Sequence, residues 1–174
     1  MSRTLVAYAG RMGGTEGIAR AVADEIRRAG IDVDLRPAAQ VRSVTEYDAV
    51  VLGSAVYAGR WQRPARDLLK RLVANRHLAD PMRVWLFHSG PLGADRAADE
   101  IPAPSRVAAY AITLGADQPT TFGGRLEPAT AKGFLARRMA AGDMAGDFRD
   151  FDRITAWAAA IAAQLRGSTA GAAS

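Results

Sequence analysis

Short apolar runs recur along the chain and predict buried β-strands. Three of them, over residues 4–9, 48–55 and 83–90, read TLVAYA, DAVVLGSA and RVWLFHSG. Their apolar residues are continuous rather than alternating with polar ones, which is typical of parallel strands that are covered on both faces. The stretches 31–37 and 118–122 add a second and a fifth strand. The pattern therefore predicts five strands.

Between the strands, apolar residues spaced by three and four positions predict amphipathic helices. One helix is predicted over 15–29, with Gly30 positioned to end it. Others are predicted over 64–75, at the C-terminus and, from a weaker pattern, over 106–114. The alternating order predicts an α/β fold with a doubly wound parallel sheet and helices on both faces. The stripes are Ile18, Val22 and Ile26; Leu68, Leu69, Leu72 and Val73; and Ile154, Trp157, Ile161 and Leu165.

Chain length favours a single domain. The 174 residues suffice for one hydrophobic core, and we assign this domain to 1–166. The small residues of 167–174 predict a flexible C-terminal tail. The segment 123–150 is long for a connection, so we expect it to be functional or to have structure of its own.

Composition and charge exclude several classes of protein. Cysteine is absent, which excludes disulfides, thiolate metal sites and thiol nucleophiles and fits a reducing compartment. No leader and no apolar run of membrane-spanning length is visible, so a cytoplasmic location is expected. The net charge is +5, but the arginines are scattered through every segment, which argues against a nucleic-acid partner. His77 and His88 complete no metal-ligand set, and we expect His77 to be exposed at a helix end. We expect His88 to lie near the surface with its hydrogen bonds satisfied; the alternative is that it faces the loop after its strand.

A glycine-rich turn at residues 10–15 joins the first strand to the first helix. Free N–H groups at a helix N-terminus suit a phosphate, and glycines let the backbone close around one. Thr15 would cap the helix or bind the phosphate; the alternative is a turn that binds nothing. A nucleoside-triphosphate loop requires lysine where Gly14 stands, and the glycine spacing does not match a dinucleotide fingerprint. A phospho-receiver requires an aspartate where the third strand has Gly53 and Ser54.

Three loops in order carry a resemblance to a known family. LVAYAGRMGGTEGIA (5–19) resembles the FMN phosphate loop of flavodoxins, and VVLGSAVYAGRW (50–61) and FHSGPLG (87–93) resemble the two loops that hold the flavin ring. With GDFRDFDRITAWAAAIA (146–162), the chain is most similar to the menaquinone-dependent protoporphyrinogen oxidase group of flavodoxin domains. The resemblance implies a flavodoxin-like sheet in the order 2-1-3-4-5 with FMN at the tips of strands 1, 3 and 4.

The resemblance also implies which residues hold FMN. The first loop would bind the phosphate, and the second would cover one ring face, with Tyr57 or Trp61 stacking on it. The third loop lacks an aromatic residue, which leaves a face open for a substrate to exchange a hydride, and the Ala58–Gly59 peptide is a candidate for redox-linked reorientation. The implied residues are Gly10, Arg11, Met12, Gly13, Gly14, Thr15, Ser54, Ala55, Val56, Tyr57, Ala58, Gly59, Trp61, Ser89, Gly90, Pro91, Leu92 and Gly93.

Two departures from the family pattern leave alternatives open. Gly10 and Gly14 stand where the family commonly has hydroxyl or amide side chains, so two contacts to the phosphate are missing. The expected function is an FMN-dependent oxidoreductase whose partner is a redox protein or a quinone or porphyrin molecule. The alternatives are a non-enzymatic electron carrier and a binding or regulatory module without flavin.

The segment 123–150 contains a basic amphipathic stretch. Apolar Phe134, Leu135 and Met139 interleave there with basic side chains, namely Lys132, Arg137 and Arg138. Such a stretch suits the inner face of a membrane that carries quinone, or an acidic redox partner. The alternative is a short helix packed on the edge of the sheet.

Overall fold

The computed structural model describes residues 3–76, 82–90, 100–127, 129, 134–139, 141–142 and 145–171. Five parallel strands build the sheet, and the principal helices lie between and after them. The strands are β1 (Arg3–Ala9), β2 (Asp32–Pro37), β3 (Ala49–Tyr57), β5 (Arg83–Ser89) and β6 (Thr120–Phe122), with two-residue strands at β4 (Arg60–Trp61), β7 (Arg125–Leu126) and β8 (Gly146–Asp147). The helices are α1 (Gly14–Arg28), α2 (Arg63–Asn75), α3 (Ser105–Leu114), α4 (Phe134–Met139) and α5 (Phe151–Gly171).

The sheet has the flavodoxin-like order β2-β1-β3-β5-β6. Counted over the five parallel strands, this is the predicted order 2-1-3-4-5. The sheet has a sixth strand that the sequence did not predict, since β4 pairs antiparallel with the end of β3. Two residues are too few to produce a periodic pattern, so this strand is visible only in the fold.

Helices cover both faces of the sheet and divide the core into two layers. On one face, Leu68 and Leu72 of α2 pack with Val107 of α3 against the sheet. On the other, Ile18 of α1 packs with Ile154 of α5. The predicted apolar stripes therefore face the core, as their spacing requires. Within the described part of the chain, no helix is long and apolar enough to cross a membrane.

Helix α5 extends beyond the boundary predicted for the domain. It runs to Gly171, whereas composition placed the start of the flexible tail at Gly167. The residues 167–171 include two glycines and only one alanine, so we attribute the extension to elongation of the helix that the alanine-rich residues before them already form, which costs far less than starting a new helix. The last turn of the helix thus uses residues assigned to the tail.

The long segment after β6 has structure of its own, as its length predicted. Strands β7 and β8 pair antiparallel as a separate two-stranded sheet, with Arg125 opposite Asp147. The hairpin lies against the start of α1. A Cβ added at Gly14 would lie only 3.3 Å from the Cβ of Arg125 in the hairpin. Arg149 likewise donates to the Gly14 carbonyl at 3.4 Å. The segment therefore covers the first turn of α1.

Candidate functional site

The three predicted loops meet at one edge of the sheet. Ala9 at the end of β1 pairs with Ser54 in β3, and Ser54 pairs with His88 near the end of β5. Because these strands are parallel and adjacent, the loops that follow them lie side by side. This is the edge at which doubly wound sheets bind ligands, at the point where the strand order reverses.

The first loop offers backbone donors to an anion. Gly13, with φ of +77°, is the N-cap residue of α1, and no side chain caps the first turn. The N–H groups of a first helical turn have no partner within the helix, and the helix dipole adds positive charge there. The loop is also narrow, because a Cβ at Gly10 would lie 2.8 Å from the Thr15 Oγ1. A phosphate fits these donors, and Gly10, Gly13 and Gly14 let it approach the backbone closely.

Of the two roles predicted for Thr15, the structure excludes that of the helix cap. Thr15 is not the N-cap residue, and its buried hydroxyl lies 2.7 Å from the Ser89 Oγ. The pair therefore joins the phosphate loop to the third loop from inside. Either hydroxyl can donate in this bond, so Thr15 stays a predicted phosphate contact beside the free backbone N–H groups of the loop.

Arg11 links the first loop to the second. Its Nε donates to the Gln62 Oε1 at 3.0 Å, and the Gln62 N–H donates to the Ser54 Oγ at 2.9 Å. Ser54 is fully buried and donates in turn to the Ala55 carbonyl at 2.9 Å. These bonds place the Arg11 charge at the boundary between the two loops, while Ser54 supports the second loop from below. Met12 and Val56 are half-buried beside them.

A tight turn forms the tip of the second loop. Ala58 and Gly59 have φ of +48° and +69° and connect β3 to β4 as a two-residue hairpin turn. Ala58 is the only described non-glycine residue with positive φ, a conformation that is costly for a side chain. The strain lies in the peptide for which the sequence predicted reorientation.

Only one of the two predicted stacking residues is accessible. Tyr57 is 37% exposed at the tip, and burial of part of its ring raises the pKa of its hydroxyl. Trp61 is 2% exposed and packs in the core, so it presents no open face to a ligand. The antiparallel pairing of β4 with β3 turns Trp61 inward. We therefore keep Tyr57 as the stacking candidate.

Trp61 contributes instead to a buried hydrogen-bonded cluster with His88. The Trp61 Nε1 donates to the His88 Nδ1 at 3.3 Å, which places the imidazole proton on Nε2, 2.8 Å from the Thr121 Oγ1. His88 is satisfied, as predicted, but fully buried rather than near the surface. Burial lowers the pKa of its imidazole, so the ring is held neutral. The cluster fixes the base of the second and third loops.

The third loop is described only at its start. Ser89 is buried, and the Gly90 N–H donates to the Phe122 carbonyl at 3.2 Å. A Cβ at Gly90 would meet the end of the Ile101 side chain, which would have to shift to make room for it. Pro91, Leu92 and Gly93 lie outside the described residues, as does His77.

Two arginines from the β7–β8 hairpin were missed by the sequence analysis. Arg125 donates to both carboxylate oxygens of Glu127 at 2.9 and 2.6 Å, and Arg149 does the same to Asp147 at 2.7 and 2.5 Å. The Arg149 side chain is 8% exposed and lies against α1. Their position also explains why Gly14 is small, because the hairpin occupies the space beside it. Nothing local in the sequence indicates a contact over 135 residues.

The fold and the three loops define an FMN-binding α/β redox protein. The model of the flavodoxin domain family matches residues 5–139, and the chain belongs to this family. FMN is the cofactor of flavodoxins and of this chain. The glycine cradle at the N-terminus of α1 fits the FMN phosphate, and Tyr57 with the Ala58–Gly59 turn fits the edge of its ring. Among the described residues, no group of acidic and histidine side chains could hold a metal ion.

Solved structures show the same fold at low sequence identity. A flavodoxin from the domain Archaea has a TM-score of 0.65 at 16% identity, covering 94% of this chain and 99% of its own. Flavodoxin 2 from Bacillus cereus has 0.61 at 18% identity, with 94% and 99% coverage. Rubredoxin oxygen:oxidoreductase from Desulfovibrio gigas has 0.66 at 15% identity, but only 37% of that chain is covered. No curated protein sequence matches this chain.

Proposed function

We propose that this protein is an FMN-dependent oxidoreductase that exchanges electrons with a small organic molecule. More specifically, we propose an oxidoreductase of the protoporphyrinogen oxidase type, with a porphyrin or quinone as its partner. This choice rests on the resemblance of the loops. The observation that carries the enzyme proposal is the burial of Trp61, which leaves Tyr57 as the accessible aromatic side chain among the described site residues. A ring covered on one face leaves the other available to a substrate.

Different residues of the site hold different parts of the cofactor. Bound FMN supplies hydride or single-electron transfer, and the protein supplies position and electrostatics. Backbone N–H groups of the glycine loop hold the phosphate end. Tyr57 covers one ring face, and the Thr15–Ser89 and Ser54–Gln62 hydrogen bonds hold the three loops in register.

The first test is a titration of the purified apoprotein with FMN and, in parallel, with riboflavin. We expect FMN to bind with a shifted flavin spectrum and a raised melting temperature. Riboflavin lacks the phosphate and should bind at least about tenfold more weakly, because charge-assisted hydrogen bonds contribute about 1.5–3 kcal/mol each. Equal affinities would contradict the phosphate site. Absence of any binding would favour the module without flavin.

A second measurement separates an enzyme from an electron carrier. The FMN-loaded protein is photoreduced and mixed with a quinone, and the oxidised protein is mixed with protoporphyrinogen, without any protein partner. Direct and saturable electron transfer supports the enzyme. Transfer that occurs only when a redox protein is added would favour the carrier, whose flavin needs no open face.

We also propose that α4 is a contact surface for an anionic membrane. Phe134 is 82% exposed, and Arg137 and Arg138 of the same helix are exposed as well. An exposed aromatic ring beside two cations suits an anionic interface. The side chains of Leu135 and Met139, and the whole of Lys132, lie outside the described residues.

Sedimentation with anionic and neutral lipid vesicles tests the contact. Phe134→Ser should reduce binding to anionic vesicles severalfold. Ile112→Ser is the matched control, because Ile112 is 74% exposed on α3 and its loss should leave binding unchanged. Equal effects of the two substitutions, or equal binding of both vesicle types, would contradict the proposal.

A further inference from the structure

A groove of about 560 Å³ lies between α2 and α3, directly beside the tip of the second loop. Its lining starts at Gly59 and Arg60 and includes partly exposed apolar surface from Pro104 and Tyr110, above the buried Leu69 and Val107. The volume is within the range of sites for small molecules, roughly 300–1,000 Å³. The groove is therefore large enough for a small organic ligand.

Cations dominate the charged lining of the groove. Arg60, Arg66, Lys70 and Arg106 line it and are exposed, and Arg63 lines it as an ion pair with Asp67 at 3.5 Å. The first four have no carboxylate within ion-pair distance among the residues that the structure describes. On α1, by contrast, Arg20, Arg27 and Arg28 each pair with an acidic side chain on the same helix. The groove therefore has a strongly cationic lining, with Asp67 as the only acidic side chain that lines it among the described residues.

The groove also connects to the candidate flavin site. Arg60 pairs with Tyr57 across the β3–β4 turn, so one strand pair carries both the stacking candidate and a cation of the groove. Trp61, which follows Arg60, lies buried beneath the groove and donates to His88. A ligand anchored in the groove would therefore lie next to the second loop.

We propose that this groove binds a small organic anion with an apolar body and one or more carboxylate or phosphate groups. The cations attract the acid groups, and the apolar lining receives the body of the molecule. Opposed charges at a concave, partly desolvated surface interact more strongly than on an open face. Binding of the anion does not depend on FMN, whereas the role of the groove as a substrate site rests on the proposed function.

Calorimetric titration with naphthalene-2,6-dicarboxylate tests the proposal on the full chain, with and without FMN. We expect saturable binding that weakens as salt is raised. The variant Arg66→Gln/Arg106→Gln removes one cation from each wall and should weaken binding at least about tenfold, since each charge-assisted contact is a strong one. The control Arg20→Gln/Arg28→Gln removes the same charge from α1 and should leave affinity within about twofold.

Several results would overturn the proposal. Equal weakening by the groove variant and the control would show only general charge attraction. Failure of the wild-type chain to bind the dicarboxylate would overturn it as well, and binding of polyglutamate in that case would indicate an acidic protein partner. Competition by inorganic phosphate shows which acid group the groove accepts: displacement of the dicarboxylate indicates that phosphate groups bind as well, and no displacement indicates a preference for carboxylates. FMN affinity, measured separately by absorption, should be equal in all three proteins, so failure of the flavin site is seen independently.

Discussion

The buried pair of hydroxyls at Thr15 and Ser89 joins residues that are 74 positions apart in the chain. One side chain belongs to the first turn of α1 and the other ends β5. Both are nearly inaccessible to water, so neither hydroxyl has an alternative partner if the other is removed. The bond therefore holds two of the three loops at a fixed separation.

Replacing Thr15 by valine should destabilise the protein by about 1–3 kcal/mol, because the Ser89 hydroxyl is left buried without a partner. Denaturant unfolding measures the loss. Thr15→Ser keeps a hydroxyl and should cost less. In the double variant with Ser89→Ala the losses should be less than additive, and strict additivity would show that the bond contributes nothing.

His88 should make stability dependent on pH in the weakly acidic range. Burial lowers its pKa in the folded state from the ordinary 6.5, while hydrogen bonding at Ile101 and the charge of Glu100 act in the opposite direction. The unfolded chain therefore takes up the proton first. The stability from neutral His88 is complete above about pH 6.5 and is lost as the pH falls from there through the folded pKa.

Urea unfolding at a series of pH values measures this effect. The free energy of unfolding should fall below pH 6.5, because a protonated imidazole cannot accept the Trp61 N–H. His88→Gln does not titrate, so its curve should be flatter in that interval. A variant with the same slope as the wild type would assign the pH dependence to other groups.

At the scale of elements, the β7–β8 hairpin is the feature that completes the fold around the phosphate loop. Immediately after its return strand, the chain passes over Gly123, where an added Cβ would overlap the carbonyl oxygen of Phe148. The Phe148 N–H donates to the Gly124 carbonyl at 3.0 Å, which fixes the same approach. Because the neighbour is backbone, it cannot move aside as a side chain could.

Gly123→Ala should therefore cost about 1–3 kcal/mol of stability, the usual effect of overpacking a rigid site. Gly167→Ala is the matched control, since a Cβ there meets nothing and the residue lies in α5. This control should be neutral or stabilise by up to about 1 kcal/mol. Thermal unfolding of both compares them. A stable Gly123→Ala protein would contradict the close approach, and a destabilised Gly167→Ala would contradict the helical end of α5.

At the scale of the whole molecule, the net charge should shift the reduction potential of bound FMN. The chain carries a net charge of +5, and a positively charged environment favours the reduced, anionic form of the cofactor. We expect the two-electron potential of bound FMN to be less negative than in acidic flavodoxins. Spectroelectrochemistry measures it, and added salt should lower the potential by screening the charge. A value as low as that of an acidic flavodoxin would contradict the argument.

Local sequence patterns determined most of the architecture. Apolar runs predicted β1, β3 and β5, and stripes at Ile18, Leu68 and Ile154 predicted the buried faces of the helices. These features depend on residues a few positions apart, whose periodicity is dictated by backbone geometry. The glycine turn was visible for the same reason, because it directly follows a strand and opens a helix.

The tertiary structure alone decided what the site side chains contact. Trp61 turned inward because β4 pairs with β3, and His88 became buried between Trp61 and Thr121. Thr15 forms a hydrogen bond with Ser89, and Arg149 donates to α1 from a position 135 residues away in the chain. Each of these contacts joins segments that are far apart in sequence, so no local pattern encodes it. Their positions follow from strand order and packing, which exist only once the whole sheet has formed.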